Sequence, residues 1–271
     1  RDRDVTGVQT CALPISLDLS SFNTKGVEYV DNIFKNCSNL TTIYASENFA
    51  FGSGLKNGAD MFLGCDKLKG FIEYNKNTDK NNSKFANYKT GYFTKLVGKN
   101  GDEKIGAVGE ILTAENLTLN DDKDFVAYEK FAAKDATYNR EMKTGITWGT
   151  LCLPFAIVQS QETECKFYRL TGIDNDNECI TLESCEEGKI PAGTPVLFKM
   201  NEGVQKLNIS AQNAGIVTKP KAGTNTDVNL VGSFTKIGGN DNQGLAGTDY
   251  IIGKDKFWLV SELKKDGNSK G

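Results

Sequence analysis

Two blocks in the first third of the chain decide the expected fold: IFKNCSNL at residues 33–40 and MFLGCDKL at residues 61–68. They begin 28 residues apart and share the pattern apolar-Phe-x-(Asn/Gly)-Cys-x-x-Leu. Three residues after each aligned Leu comes another apolar residue, Ile43 or Phe71. Upstream, LDLSSFNT at residues 17–24 supplies the strand-and-turn half of such a unit. A period of about 20–30 residues is typical of solenoids, whose units bury their apolar sides only by stacking.

The segment between the strand-like stretches has the spacing of a helix. Val27, Val30, Ile33 with Phe34, and Cys37 recur every three or four residues, which predicts a short helix with these residues on one face. The equivalent residues Cys37 and Cys65 are expected to form a ladder inside the solenoid, where a free thiol packs as a small apolar group. A metal or redox role for this pair is the alternative.

Part of this pattern resembles a known family. Three segments are similar to the 26-residue leucine-rich repeats of BspA-like bacterial surface proteins: residues 17–24, 27–40 and 41–45. Residues 84–94, KFANYKTGYFT, are similar to the way those arrays end. The resemblance implies a leucine-rich repeat fragment over residues 17–96, closed by a C-terminal cap. It holds one complete unit, a half unit and the cap, whereas about three units are needed for stability. We therefore expect the native array to continue upstream.

Residues 1–16 do not fit the repeat. VTGVQTCALPI at residues 5–15 resembles the translation of a common short-read sequencing adapter, as in a gene fragment assembled from metagenome reads. We expect residues 1–16 to be unstructured and without native function, and a signal peptide to lie in the missing upstream part. Cys11 argues the other way, because it lies 26 residues before Cys37, in phase with the repeat.

The pattern changes after residue 96. Residues 97–104 contain the turn-forming run VGKNGD and are predicted to be a linker. Short apolar runs bounded by Gly, Asn, Asp and Pro then predict an all-β domain, a sandwich or barrel, over residues 105–271. The predicted strands are residues 111–119, 125–131, 148–158, 166–172, 179–184, 194–200, 206–209, 229–235, 250–253 and 257–261. The fold class expected is thus mixed, a short leucine-rich-type α/β solenoid fragment followed by an all-β domain.

The second part also carries a resemblance, to a C-terminal β module common in secreted proteins of host-associated anaerobes. The similar segments are residues 138–140, 148–155, 166–168, 191–196 and 253–260. No activity is attached to that module, so the resemblance bears on location and architecture alone.

One hairpin in this domain can be aligned from its apolar residues. Four of them share one face: Tyr168, Leu170, Ile180 and Leu182. In the register that pairs Tyr168 with Leu182, Cys165 lies across from Cys185 on the other face. A cross-strand disulfide between Cys165 and Cys185 is one outcome if the chain is extracellular; two unpaired buried thiols are the other.

Composition excludes several kinds of chemistry. The chain has no histidine, which excludes Ser-His-Asp and Cys-His nucleophiles and imidazole zinc ligands. Its net charge of −3 is too small for the field of a nucleic-acid binder. The seven cysteines include no C-x-x-C spacing, so a zinc knuckle is not predicted. We expect no catalytic residue, no cofactor and no metal, and therefore no enzyme.

Two weaker binding signals remain with alternatives. Asp174, Asp176 and Glu178 alternate like Ca²⁺ ligands, but the series lacks the Gly and distant Glu of a hand-type loop, and a solvated hairpin tip is the simpler explanation. Trp148 and Trp258 have the surface for stacking on a sugar, while core packing is the competing role for each.

These patterns predict a non-catalytic, cell-surface or secreted bacterial protein that mediates adhesion or protein–protein interaction through its repeats. Tyr44 and Phe49 are the candidate contact residues. The expected partners are host or bacterial surface proteins, and the resemblance suggests an extracellular-matrix protein such as fibronectin. A carbohydrate-binding β domain that recognises glycans is the first alternative, and a structural stalk is the second. Neither nucleic-acid binding nor a membrane span is expected.

Overall fold

The computed structural model describes residues 15–159, 164–174, 176, 179–185, 188–223, 228–237, 245–253 and 255–263. It is mostly β-strand, 44%, with almost no helix, which agrees with the all-β prediction for the second part of the chain. In these ranges no helix has the length and apolar character needed to cross a membrane. The expectation for residues 1–14 lies outside the described residues, whereas Ile15 and Ser16, expected to be unstructured, begin the first strand.

The elements follow one another in the order β1 Ile15–Leu19, β2 Leu40–Ala45, a 3-10 helix Ser83–Phe85, β3 Phe93–Asn100, β4 Glu103–Ala107, β5 Thr113–Asn120, β6 Phe125–Ala127, β7 Phe131–Glu141, β8 Trp148–Leu151, β9 Ile157–Gln159, β10 Cys165–Asp174, β11 Cys179–Ser184, β12 Gly188–Ile190, β13 Val196–Met200, β14 Lys206–Ile216, β15 Tyr250–Gly253, β16 Lys256–Leu259 and α1 Val260–Leu263.

The chain forms two compact units. The first comprises Arg1–Leu96 with Gly106–Thr113, and the second comprises Val97–Ile105 with Ala114–Gly271. One boundary between the units follows Leu96, and residues 97–104 are not a linker. They complete β3 and begin β4, which are neighbouring strands of one sheet. The turn-forming residues instead close a hairpin, in which Gly101 has a φ of +59°, as Asn-Gly turns between strands require.

In the first unit β1, β2 and β3 lie side by side and parallel. Leu17 pairs with Ile43, which pairs with Phe93 in the next strand. In the same way Leu19 pairs with Ala45. The side chains of Ile43, Ala45 and Phe93 are buried, so alternate positions of each strand face one core, as the two-residue period of a strand dictates.

The segments between these strands are tight turns, and the predicted helix is wrong. Asn32 and Asn36 have φ values of 59° and 62°, and their equivalents Asp60 and Gly64 have φ values of 51° and 79°. Left-handed residues at this spacing interrupt an α-helix. The apolar period of three to four residues therefore came from successive turns.

The backbone groups that a helix would satisfy internally are instead bonded to the next block. Val30 N donates to Asn57 O at 3.0 Å, and Phe34 N donates to Met61 O at 3.1 Å. Val30 and Phe34 are buried as predicted, but Ile33 is 51% exposed.

The core of the first unit collects residues from both blocks and from the segment that follows them. Its buried members are Val30, Phe34, Leu40, Ile43, Ala45, Met61, Phe62, Cys65, Leu68, Ala86, Tyr92 and Phe93. The two blocks thus contribute to one core rather than to two.

The second unit is built from antiparallel strands. One sheet has the order β14-β7-β5, a second has the order β11-β10-β13-β8, and β9 with β12 and β15 with β16 form two-stranded sheets. The strand predicted at residues 229–235 is not formed: those residues have no regular structure. The long strand β7, which pairs with β14 over ten residue pairs from Lys206↔Glu141 to Ile216↔Phe131, was not predicted.

The predicted hairpin of β10 and β11 exists, but its register is shifted by two residues. Leu170 pairs with Leu182 and Tyr168 pairs with Ser184, and a bulge follows Leu170. Cys185 N donates to Phe167 O at 2.8 Å, which places Cys185 beside Phe167 rather than across from Cys165. Cys165 and Cys185 are both buried. An apolar pattern fixes which face a residue occupies but tolerates a shift of two residues.

Candidate functional site

A small cleft opens in the first unit beside the turn that follows β2. Phe49 N donates to Ser46 O at 3.1 Å, and Asn48 N donates to the Ser46 hydroxyl at 3.3 Å. This turn directs the side chain of Phe49 onto Phe93, with ring centroids 4.9 Å apart at an angle of 79°. An edge-to-face pair of this kind is a favourable arrangement of two rings. It forms the aromatic part of the cleft.

The opposite wall is a second turn, which carries Tyr88. The Asn87 side-chain oxygen accepts hydrogen bonds from Lys89 N at 3.0 Å and Thr90 N at 2.8 Å. Tyr88 O accepts a hydrogen bond from Gly109 N at 2.8 Å. Asparagine favours this local geometry because its side chain bonds to backbone groups just ahead of it. Both walls are therefore held by hydrogen bonds within their turns, and the second wall is also bonded to Gly109.

The cleft has a volume of about 300 Å³. Its apolar lining consists of Ala45, Phe49, Ala50 and Phe93, and its polar lining of Ser46, Glu47, Asn87, Tyr88 and Lys89. Small-molecule sites usually occupy roughly 300–1,000 Å³. The cleft therefore lies at the small end and has room for one amino-acid side chain or one small ring.

A lysine occupies a core position next to the cleft. Lys95 pairs with Ala45, which pairs with Leu19, so Lys95 stands in a row of otherwise apolar residues. Its side chain is only 12% exposed, and its Nζ lies 2.8 Å from Glu47 Oε1. The same ammonium lies 5.4 Å from the ring centroid of Tyr88. A shielded cation requires an anionic partner, and Glu47 supplies the charge.

This pair sets the electrostatics of the cleft. Hydrogen bonding and charge from Lys95 lower the pKa of Glu47, and Tyr88 adds a smaller effect in the same direction. Lys89 Nζ lies 3.1 Å from Glu110 Oε2, and that carboxylate raises the pKa of Lys89. Two lysines and two glutamates thus balance one another. The cleft suits a mainly apolar group with a polar edge better than a strongly charged ion.

Of the two predicted contact residues, one lies at the cleft and the other does not. Phe49 lines the cleft. Tyr44 pairs with Asp18 and Thr94, on the face opposite to Ile43 and Ala45, and does not line the cleft. Sequence reasoning missed Glu47, Tyr88 and Lys95, although a lysine inside the apolar run FTKLV was a detectable signal.

The paired cysteine positions of the repeat have different environments. Cys65 is buried and its Sγ donates to Phe34 O at 2.9 Å. Burial raises the pKa of Cys65 to about 12, so its thiol is protonated at neutral pH. Cys37 is exposed. The prediction that both thiols face the interior is therefore wrong for Cys37.

The calcium signal does not assemble a site in the described residues, and the two tryptophans differ in their surroundings. Asp174 Oδ1 accepts a hydrogen bond from Asp176 N at 3.1 Å, while Glu178 lies outside the described residues. Within the described ranges no cluster of three or more His, Cys, Asp or Glu could hold a metal ion. Trp148 packs on Tyr168 with centroids 5.3 Å apart. Trp258 is 40% exposed, so core packing does not describe its position.

Comparison with protein-family models, with curated proteins and with solved structures finds no match to this chain.

Proposed function

We propose that this chain is a non-catalytic, protein-binding part of a bacterial surface or secreted protein, and that its first unit is a short leucine-rich-type solenoid. The observation that carries the proposal is an offset of 26 to 28 residues between stacked segments. Leu19 lies beside Ala45, and Phe34 N donates to Met61 O. Stacked units separate the residues that hold the fold from the residues that face outward.

The outward side chains of the first unit also join consecutive blocks. Lys56 Nζ lies 2.6 Å from Glu28 Oε2, and Lys67 Nζ donates to Asn39 Oδ1 at 2.8 Å. Both pairs span 28 residues. Exposed pairs of this kind contribute little stability, so they are open to substitution. A surface of this type suits recognition, because partner contacts can change without disturbing the core.

The cleft is the proposed anchor point for a partner protein. Protein interfaces draw most of their binding energy from a few aromatic or aliphatic side chains seated in pockets. The cleft offers the rings of Phe49 and Phe93 for such a side chain, and Glu47 and Tyr88 for a hydrogen bond at its edge. We expect an exposed aromatic or aliphatic residue of an extracellular-matrix or bacterial surface protein to occupy it.

The test is binding of the whole chain to immobilised fibronectin, collagen and laminin, compared between two tryptophan variants. Ala50→Trp fills the cleft at an exposed lining position. Ser38→Trp adds the same side chain at an exposed position outside the cleft. We expect binding to at least one matrix protein and a loss of tenfold or more in Ala50→Trp alone. Binding to none of them would contradict a matrix-protein partner and favour a stalk. Equal binding by both variants would contradict the role of the cleft.

One observation favours glycan binding by the second unit as a second candidate. The hairpin of β15 and β16 exposes Tyr250, Ile251, Phe257 and Trp258, and aromatic rings at a surface can stack on a sugar. A glycan array probed with the whole chain and with Trp258→Ala tests it. A signal that Trp258→Ala abolishes would support glycan binding, and an array without signal would exclude it for the glycans displayed.

A further inference from the structure

The loop that ends in the 3-10 helix concentrates unpaired positive charge. Residues 75–85 contain Lys76, Lys80 and Lys84 against a single acidic residue, Asp79, a net of +2 in a chain of net charge −3. All three lysines are exposed. None of them has an ion-pair partner among the residues that the structure describes.

Five other lysines of the same unit are neutralised by acidic partners. Five ion pairs show this: Lys35 with Asp60, Lys56 with Glu28, Lys69 with Glu73, Lys89 with Glu110 and Lys95 with Glu47. The loop therefore differs from its surroundings in leaving three ammonium groups close together in sequence and available to an outside anion.

The loop is held in one conformation by its own polar side chains. Asn75 Oδ1 accepts from Asn77 N at 2.9 Å, and Asn82 Oδ1 accepts from Lys84 N at 3.1 Å. Its backbone is fixed to the core, since Asn81 O accepts from Phe62 N at 2.9 Å. A displayed charge on a fixed backbone loses less conformational freedom on binding than one on a free chain.

The loop is closely tied to its neighbours at the 3-10 helix as well. Ser83 N donates to Gly58 O at 2.8 Å. A Cβ at Gly58 would lie 2.2 Å from the Ser83 hydroxyl oxygen, so this approach requires glycine. Lys80 Nζ lies 5.9 Å from the ring centroid of Phe85, and Lys84 directly precedes that ring. Lys80 is thereby held beside Phe85, the residue that follows Lys84 in the chain.

We propose that residues 75–85 bind a sulfated polysaccharide. Its sulfate groups would pair with the ammonium groups of Lys76, Lys80 and Lys84, and its hydroxyl groups would find amide partners in the asparagine-rich backbone and side chains of the same loop. Nucleic acid fits less well. Proteins that hold single strands add aromatic platforms for the bases, and the ring of Phe85 is already covered by Lys80.

This inference is independent of the cleft, because no residue of the loop lines it. The probe is fluorescent heparin, titrated with the whole chain in 50 mM and 150 mM NaCl. Three ammonium–sulfate contacts, each releasing about 0.7–0.9 counterion, predict a loss of affinity of roughly 10- to 20-fold between these salt concentrations. The key variant is Lys76→Gln/Lys80→Gln/Lys84→Gln. Its matched control, Lys143→Gln/Lys206→Gln/Lys219→Gln, makes the same change in net charge at exposed lysines of the second unit.

We expect the loop variant to lose at least tenfold in heparin affinity and the control to lose less than twofold, with unchanged circular dichroism in both. Desulfated heparin should bind at least tenfold more weakly than heparin. The proposal is overturned by absence of heparin binding in 50 mM NaCl, by equal losses in the two variants, or by equal affinity for a single-stranded oligothymidylate. Ala50→Trp leaves the loop intact. Its effect on matrix binding therefore tests the cleft, and the heparin titrations test the loop.

Discussion

The ring of Phe34 stacks on the ring of Phe62, with centroids 5.8 Å apart and planes inclined by 20°. The two residues are 28 positions apart in the chain and occupy the same place in the two repeated blocks. Tyr92 extends the arrangement, its ring centroid lying 5.0 Å from that of Phe62. Each block thus provides one ring, and neither ring would be covered without the next.

Removing the central ring should weaken the first unit. Phe62 is fully buried, and Phe62→Ala should lower the free energy of unfolding by about 3–5 kcal/mol, because it removes buried apolar surface and leaves a cavity. Hydrogen–deuterium exchange of peptides covering β2 measures this, since both tryptophans lie in the second unit and do not report on the first.

Ile33→Ala is the control for this prediction. Ile33 is next to Phe34 but exposed, so its truncation should change exchange in β2 by much less. Similar acceleration of exchange in both variants would show that truncating a buried side chain and truncating an exposed one have the same effect, which would contradict the prediction.

A glycine of the first unit is required by close packing. A Cβ at Gly91 would lie 2.0 Å from Phe85 O and 2.8 Å from Asn87 O, whereas nothing lies within 4 Å of a Cβ at Gly54. We expect Gly91→Ala to destabilise the first unit by roughly 1–3 kcal/mol, as overpacking against backbone does. Gly54→Ala should be neutral or slightly stabilising. Limited proteolysis compares the two, and equal resistance would contradict the prediction.

An arginine organises one end of the sheet formed by β8, β10, β11 and β13. Arg140 Nη1 donates to Thr150 O at 2.9 Å and Nη2 donates to Asp121 Oδ1 at 3.0 Å. Its guanidinium also lies 5.3 Å from the ring centroid of Phe198. Lysine cannot reproduce this fork of donors, so Arg140→Lys should lower the stability of the second unit by about 1–3 kcal/mol.

Lys134→Arg is the matched change for Arg140→Lys, because Lys134 pairs with Glu115 at the surface and such a pair contributes little. Urea unfolding followed by tryptophan fluorescence reports on the second unit through Trp148 and Trp258. An unfolding midpoint for Arg140→Lys equal to that of the parent chain would show that a positive charge at this position is sufficient for the stability of the second unit.

Buried thiols should make the second unit sensitive to alkali. Burial raises the pKa of Cys165 from its ordinary value of 9.0 to about 12, and burial has the same effect on Cys152. Above pH 9 the unfolded chain releases these protons while the folded chain keeps them. The contribution of these thiols to the free energy of unfolding is therefore fully present below pH 9 and is lost as the pH rises towards 12. Each thiol should account for about 1.4 kcal/mol of the loss between pH 8 and pH 10.

Cys165→Ala isolates this effect. The variant should be less stable at pH 8, because a buried group is lost, but its decline between pH 8 and pH 10 should be shallower than that of the parent chain. Parallel declines in urea midpoint would mean that the Cys165 thiol ionises as readily in the folded state as in the unfolded state.

Some features could be predicted from local sequence and others could not. The alignment of residues 33–40 with residues 61–68 gave Phe34 and Phe62 equivalent positions, and their rings stack in the structure. The helix prediction failed because residues spaced by three or four satisfy a helix and a series of tight turns equally well. Strand β7 was missed because its inward residues include Ala133 and Ala136, which give a weak apolar signal. They are placed in a strand by the pairing with β14.

The candidate cleft separates what the sequence predicted from what only the tertiary structure decided. Sequence alone determined the alternation of buried and exposed residues and the repeat offset, since both depend on neighbours within a few residues or on a direct comparison of two segments. Only the tertiary structure decided that Lys95 stands in the apolar row of Leu19 and Ala45 and meets Glu47 there. Those residues are 48 positions apart, and no local preference specifies such a meeting, because the ion pair forms only after the strands have stacked and water has been removed from around the ammonium group.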